Sequence, residues 1–207
     1  MQKTNKSIEV FKNPILERLT HVHPLTPFFL WMPIVFWLLW RSFTVYELSP
    51  FIIGILGVIG FFSWTLVEYL LHRYLFHFEF DSSQGQKFHF LIHGLHHADP
   101  DDPTRLVMPP IASIFLGITF FTLFKGVLGI RWAETFFAFF VFGYLCYDYI
   151  HFYTHHFIPK SSLGKFLKNS HMLHHYVSPN SRWGVSSPFW DYVFGSMEDI
   201  KSKEKVV

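Results

Sequence analysis

Apolar residues come in four blocks, and the polar residues crowd into the stretches between them. Pro27 to Val45 carries one interior charge, Arg41, and Phe51 to Leu71 carries one, Glu68, near its end. Ile111 to Phe124 runs on past Lys125 to Ile130, and Ala133 to Tyr147 follows with Glu134 near its start. A helix that crosses a bilayer needs about 20 predominantly apolar residues. The second block meets this outright. The others are shorter or carry a charge, with Arg41 and Lys125 placed to snorkel toward an interface. The pattern predicts an all-α integral membrane protein with about four transmembrane helices in two hairpins. Buried or re-entrant helices are the alternative for the last two blocks.

The first 20 residues are polar and carry Lys3, Lys6, Lys12 and Arg18, which argues against a cleavable signal peptide. Four crossings place both termini and the middle loop on one side. That side holds 14 Lys and Arg against 3 in the two opposite turns, so it is expected to be cytoplasmic. The expected organisation is a cytoplasmic N-terminal segment, 1–26, a membrane-embedded domain, 27–197, and a charged C-terminal tail, 198–207. Turn residues punctuate the middle loop at Ala98 to Pro103 and at Pro109-Pro110.

Composition sharpens this picture. Half of the 207 residues are hydrophobic, 21% are aromatic and 15% are charged. A soluble domain carries roughly 25% charged residues, so an ordinary soluble enzyme and a disordered chain are both excluded. One cysteine, Cys146, excludes a disulfide framework and any cysteine-based metal cluster. A net charge of +2 gives no reason to expect nucleic acid as a partner.

The 14 histidines are the anomaly, and 12 of them lie after the second and fourth blocks. They form four groups: His72 and His77; His93, His96 and His97; His151 and His155; His171, His174 and His175. Neutral imidazole is the commonest metal ligand, and residues at i, i+3 and i+4 share a helix face. Each His-x-x-His-His group is therefore expected to converge on one point. His72 and His77, five apart, fit one face only if the helix bends or ends between them. Ten imidazoles exceed what a single ion takes and predict a dinuclear site in a helical cap. Glu68 and Asp148 sit four and three residues before a histidine, at helical spacing to accept its second ring N–H. His21 and His23 read as interfacial. His89 is spaced to support the site from outside, and His156 points away from it.

In this order and layout the groups resemble the fatty acid hydroxylase/sterol desaturase superfamily. The matching stretches are Glu68–His77, His89–His97, Arg105–Pro110, Gly143–Asp148, His171–His175 and Ser187–Gly195. The Arg-Leu-Val-Met-Pro-Pro and Trp-Asp-Tyr-Val-Phe-Gly stretches point to the fatty acid 2-hydroxylase branch, which acts on ceramide and sphingolipid acyl chains. The resemblance implies a membrane monooxygenase using O₂, with the ten histidines as ligands to two iron ions. Zinc has no redox chemistry, so it would be a substitute. By the same resemblance one metal takes His72, His77, His93, His97 and His175. The other takes His96, His151, His155, His171 and His174.

Some family members carry a cytochrome b5 domain that this chain has no room for. The expected electron donor is therefore a separate cytochrome b5, or a ferredoxin with its reductase. The expected location is the inner membrane or the endoplasmic reticulum, with the site on the cytoplasmic face. Arg105, Trp183, Trp190 and Asp191 are candidates for shaping a lipid pocket, with interfacial packing as the other reading. Two further readings remain open at this stage. Carotenoid ring hydroxylases and sterol oxidases share similar histidine groups, and a membrane metal-binding or transport protein would need ionisable residues in mid-membrane.

Overall fold

A computed structural model describes residues 7–78 and 80–198. Most of the charged tail at 198–207, and Lys3 and Lys6 at the start, thus lie outside the described residues. Among the described residues every regular element is helical: α1 (Pro14–Leu19), α2 (Thr26–Thr44), α3 (Pro50–Leu71), α4 (Ser83–His89), α5 (Leu95–Ala98), α6 (Pro110–Leu128), α7 (Ile130–His156), α8 (Ser162–Tyr176) and α9 (Phe189–Val193).

The punctuation read from sequence marks the helix starts. Pro50 opens α3 behind Ser49, whose side chain caps Ile52 N–H, and Pro110 opens α6. Proline suits a first turn because its missing N–H has no intrahelical partner there. A single residue, Gly129, joins α6 to α7 with φ +76°, a left-handed conformation that favours glycine.

Three helices are long and apolar enough to cross a bilayer: α3 with its extension to Phe76, α6, and α7. The 19-residue α2, which carries Pro33 and Arg41, packs on α7 and completes the bundle without meeting that measure. The outward faces of α2, α3 and α6 expose Phe36, Val58, Phe115 and Val127, a surface suited to lipid. The chain is a membrane protein.

The 27-residue α7 is the hub, and Ala133, Ala138, Phe140, Val141 and Tyr144 on it are buried by α2, α3 and α6. Lipid is as apolar as a helix face, so packing in the membrane depends on close contact rather than on escape from water. Gly60 supplies such contact, since a Cβ there would lie 2.4 Å from the Phe136 carbonyl oxygen. At the end of the bundle away from the histidines, Arg41 does not snorkel freely. Its guanidinium grips Glu134 of α7 through Nε at 2.7 Å and a second N–H at 3.1 Å, and Tyr46 shares the carboxylate. The opposite ends of α3 and α7 run into the cap formed by α4, α5, α8 and α9.

Candidate metal centre

Ten histidines converge in the cap as two groups of five. His72, His77, His93, His97 and His174 form one, and His96, His151, His155, His171 and His175 form the other. Within each group the candidate ligand nitrogens lie within 4.8 Å of one another. The set read from sequence is therefore assembled in full, but its division differs at one pair. His174, not His175, joins the first group: its Nε2 is 3.1 Å from His77 Nε2. His175 Nε2 lies 3.0 Å from both His96 and His171.

The reason is helical geometry. Adjacent residues point about 100° apart, whereas i and i+4 share a face. His171 and His175 therefore stay together and His174 turns to the other group. The same rule keeps His93 with His97 and sends His96 across. The single point of convergence expected for each His-x-x-His-His run is thus corrected: each run serves both groups, and the two runs interlock.

His72 and His77 need a different device. The chain widens into a π-helical turn over His72–Phe76, closed by His77 N–H donating to the His72 carbonyl at 3.2 Å. The wider turn brings residues five apart onto one face. A second π turn, Phe90–Gly94, carries His93. Such turns are rare and recur at functional sites.

The ring tautomers follow from what lies behind the rings. His72 Nδ1 donates to the Trp183 carbonyl at 2.5 Å, and His174 Nδ1 donates to the Ser181 carbonyl at 2.7 Å. Both Nε2 atoms then direct lone pairs inward. His72 Nε2 meets His93 Nε2 at 3.2 Å, and His155 Nε2 meets His171 Nε2 at 2.8 Å. Lone pairs packed so closely repel unless a cation lies among them, so the residues present fit two bound metal ions.

Burial keeps the rings neutral. Desolvation lowers His97 and His174 to about 4 and His77 to about 2, and it also drives His93, His96 and His171 below the ordinary histidine range. In the metal-free protein the unfolded chain then binds more protons than the folded one below pH 6.5. Stability should be full above pH 6.5 and fall as pH drops toward 4. The unfolding midpoint of chelator-treated protein, followed from pH 7.5 to 4.5, checks this; a flat profile would contradict it.

Glu68 and Asp148 play other parts than the sequence reading gave them. Neither is hydrogen-bonded to a ligand histidine. Glu68 accepts the N–H groups of Val185 at 2.8 Å and Ser186 at 2.7 Å, and also the Ser186 hydroxyl. It thus holds the strand of chain whose Trp183 carbonyl orients His72. Leaving a buried N–H such as that of Val185 unpaired would cost about 1–3 kcal/mol. Asp148 accepts Met108 N–H at 3.3 Å and the Tyr144 hydroxyl at 3.0 Å. Helical spacing put both carboxylates near the histidines, but other donors occupy them: backbone N–H groups from distant loops, the Ser186 hydroxyl at Glu68, and the Tyr144 hydroxyl of the same helix at Asp148.

Beside the histidines lies a cavity of about 710 Å³ walled mainly by Leu75, Phe76, Leu95, Leu106, Val107 and Met108, with His93, His96 and His151 at its edge. It therefore touches both histidine groups. Of the four pocket candidates from sequence, only Arg105 lines it. Trp183 instead packs its ring edge-on to His72, His77 and His174. Asp191 accepts the N–H groups of Trp183 at 2.9 Å and Gly184 at 2.8 Å, and Trp190 donates to Thr65 at 2.9 Å. Trp183 and Asp191 thus build the scaffold behind the rings, while Trp190 packs against Phe62 and Phe194.

His89 and His156 lie outside both groups, each with a buried Nε2 that has no hydrogen-bond partner. His21 is not a free interfacial residue: it bonds Thr104 at 2.5 Å and Arg105 at 2.9 Å. The carbonyls of Trp183 and Ser181 and the aliphatic cavity wall were missed, because backbone acceptors and apolar side chains carry no signal of their own in a sequence.

The sequence profile of the fatty acid hydroxylase family matches residues 57–196, which include all ten histidines. The chain belongs to that family. It is 38% identical to a dihydroceramide fatty acyl 2-hydroxylase of Arabidopsis thaliana over 176 residues, 85% of this chain and 74% of that protein. It is 41% identical to a ceramide very long chain fatty acid hydroxylase of Saccharomyces cerevisiae, over 80% of this chain and 43% of that one. It is 33% identical to the fatty acid 2-hydroxylase of Homo sapiens, over 97% of this chain and 59% of that one. The yeast and human relatives thus extend well beyond the matched part. Among solved structures, full-length scs7p, of which only the hydroxylase domain is visible, aligns with a TM-score of 0.86 and 38% identity. That alignment covers 92% of this chain and 72% of the other.

Proposed function

We propose that this protein hydroxylates carbon 2 of the N-acyl chain of a ceramide-type lipid. The observation that carries the reading is the apolar cavity lined also by His93, His96 and His151, a space of about 710 Å³ that reaches both histidine groups. The relatives named as dihydroceramide, ceramide and fatty acid 2-hydroxylases give the substrate class and the carbon. The ten histidines are the metal ligands in this reading, and their all-nitrogen donor set suits iron. Iron held there would supply the activation of O₂ that oxidation of an unactivated C–H bond requires.

The overall balance is one C–H bond and O₂, with two electrons and two protons, giving one C–OH and water. The electrons come from a separate donor such as cytochrome b5, or ferredoxin with its reductase. The chain's own residues do the positioning. Leu75, Phe76, Leu106 and Val107 hold the alkyl chain and exclude water, and the histidines fix the metal side of the cavity. In this reading residues 27–197 are the membrane-embedded catalytic domain with its cap on the cytoplasmic face, between an N-terminal segment, 1–26, and a charged tail, 198–207.

The test is lipid mass spectrometry on a host that makes sphingolipids but lacks this hydroxylation, expressing wild type or His93→Ala with a donor system. Wild type alone should add one oxygen to the ceramide acyl chain. Oxygen on a sterol or carotenoid instead would overturn the substrate assignment.

A further inference from the structure

The segment 7–22 lies across the cavity. Phe11, Leu16, Leu19 and Thr20 form part of the cavity wall, yet no residue of α1 is buried. Ile15 and Leu19 are 71% and 62% exposed, and α1 leads directly into α2. A short helix with bare apolar residues beside a membrane helix belongs at the bilayer interface. Ile111 and Phe115 of α6 and Leu91 of the second π turn, all exposed, line the same cavity. The cavity therefore opens between α1, α6 and that turn, toward lipid.

What keeps α1 over this opening is a polar latch. The hydrogen bonds joining 7–22 to the rest of the described chain end on the loop 102–105. Arg105 donates to the Ile8 carbonyl, to Glu17 Oε1 and to His21 Nε2. Val22 N–H donates to the Thr104 carbonyl at 2.7 Å, and the Ser7 hydroxyl donates to Asp102 at 2.6 Å. Glu17 gathers the segment from the other side, accepting Val10 N–H at 3.0 Å and Phe11 N–H at 2.8 Å on Oε2. The Arg105 side chain is 2% exposed in the wall of an apolar cavity, and these partners occupy its outer N–H groups. A guanidinium so committed is placed to hold the segment rather than to bind a substrate anion.

We propose that α1 is the door through which a bilayer lipid passes its acyl chain into the cavity, and that Arg105 is the positioning residue that latches it through Glu17. This rests on reading the cavity as an acyl-chain site. Opening swings an apolar helix within the interface, which costs little, and breaks charge-assisted bonds, which sets the closed population.

The test uses the full chain in lipid nanodiscs, with Cys146→Ser and a reporter Val107→Cys in the cavity wall. A maleimide that partitions into lipid and a charged, membrane-impermeant thiol reagent are compared. Glu17→Gln should speed labelling by the lipid-borne reagent about tenfold, the worth of one hydrogen bond to a charged group, and leave the charged reagent nearly unaffected. The unfolding temperature should fall only by the few degrees that a tenfold factor implies for a chain of this size. Arg105→Lys, which keeps the charge but loses the fork, should give a smaller acceleration. Equal rates in wild type and Glu17→Gln would overturn the door. So would equal acceleration by both reagents, which reports fraying into water. The labelling needs neither metal nor electron donor, so its outcome is independent of whether ceramide is hydroxylated.

Discussion

His174→Ala is expected to lose the metal of one group and keep that of the other, so bound metal should fall from two ions per chain to one. His175→Ala should do the same for the opposite group. The two residues are neighbours on α8, yet they face different clusters: His174 Nε2 approaches His77, and His175 Nε2 approaches His96 and His171. Hydroxylation should vanish in both variants, since loss of even an outer partner of a metal ligand typically costs about 10–100-fold. The discriminating readout is metal content together with a spectrum of the remaining ion. The ion left in His174→Ala should be the one expected at His96, His151, His155, His171 and His175, and the ion left in His175→Ala the one expected at His72, His77, His93, His97 and His174. A His174→Ala protein that instead kept the His72 and His93 site would favour the division inferred from family resemblance over the geometry.

Ala112→Trp is expected to separate the lipid site from the metal site. Ala112 stands in the cavity wall on α6, away from the ring nitrogens, and a tryptophan there grows into the space reserved for the acyl chain. Metal content should stay at the wild-type value. Turnover of long-chain substrate should fall about 10–100-fold, which is about 1.4–2.7 kcal/mol of lost transition-state binding. Shorter acyl chains, which need less of the cavity, should suffer less. Unchanged turnover of the longest chains would show that the acyl chain lies elsewhere and would remove the main support for the functional reading.

Much of the site is legible in the chain itself because its ligands are rare residues at helical spacings. The His93, His96, His97 and His171, His174, His175 runs can be read without coordinates. The same spacing misleads where a partner comes from far away. Glu68 is four residues from His72, but its carboxylate is taken by the N–H groups of Val185 and Ser186, 117 and 118 residues distant. Asp148 is taken by Met108 N–H, 40 residues distant, and by the Tyr144 hydroxyl one turn away on its own helix. Trp183 and Asp191 read as pocket residues from their chemistry, yet they serve as the backing of the rings.

The apolar blocks by themselves determined three of the four expected membrane helices, because a bilayer demands long apolar stretches with every backbone group bonded within the helix. The histidine spacings by themselves marked most of the candidate ligands, because three or four residues along a helix restore the same face. Only the tertiary structure decided which five histidines cluster together, since that depends on how α3, α5, α7 and α8 meet around a point. It alone decided that His72 and His77 converge, through a π turn that five-residue spacing does not announce. It alone placed an apolar cavity against both groups and laid α1 across its mouth. Apart from that local turn, those features arise from contacts between residues distant in the chain, and such contacts leave no periodicity for the sequence to display.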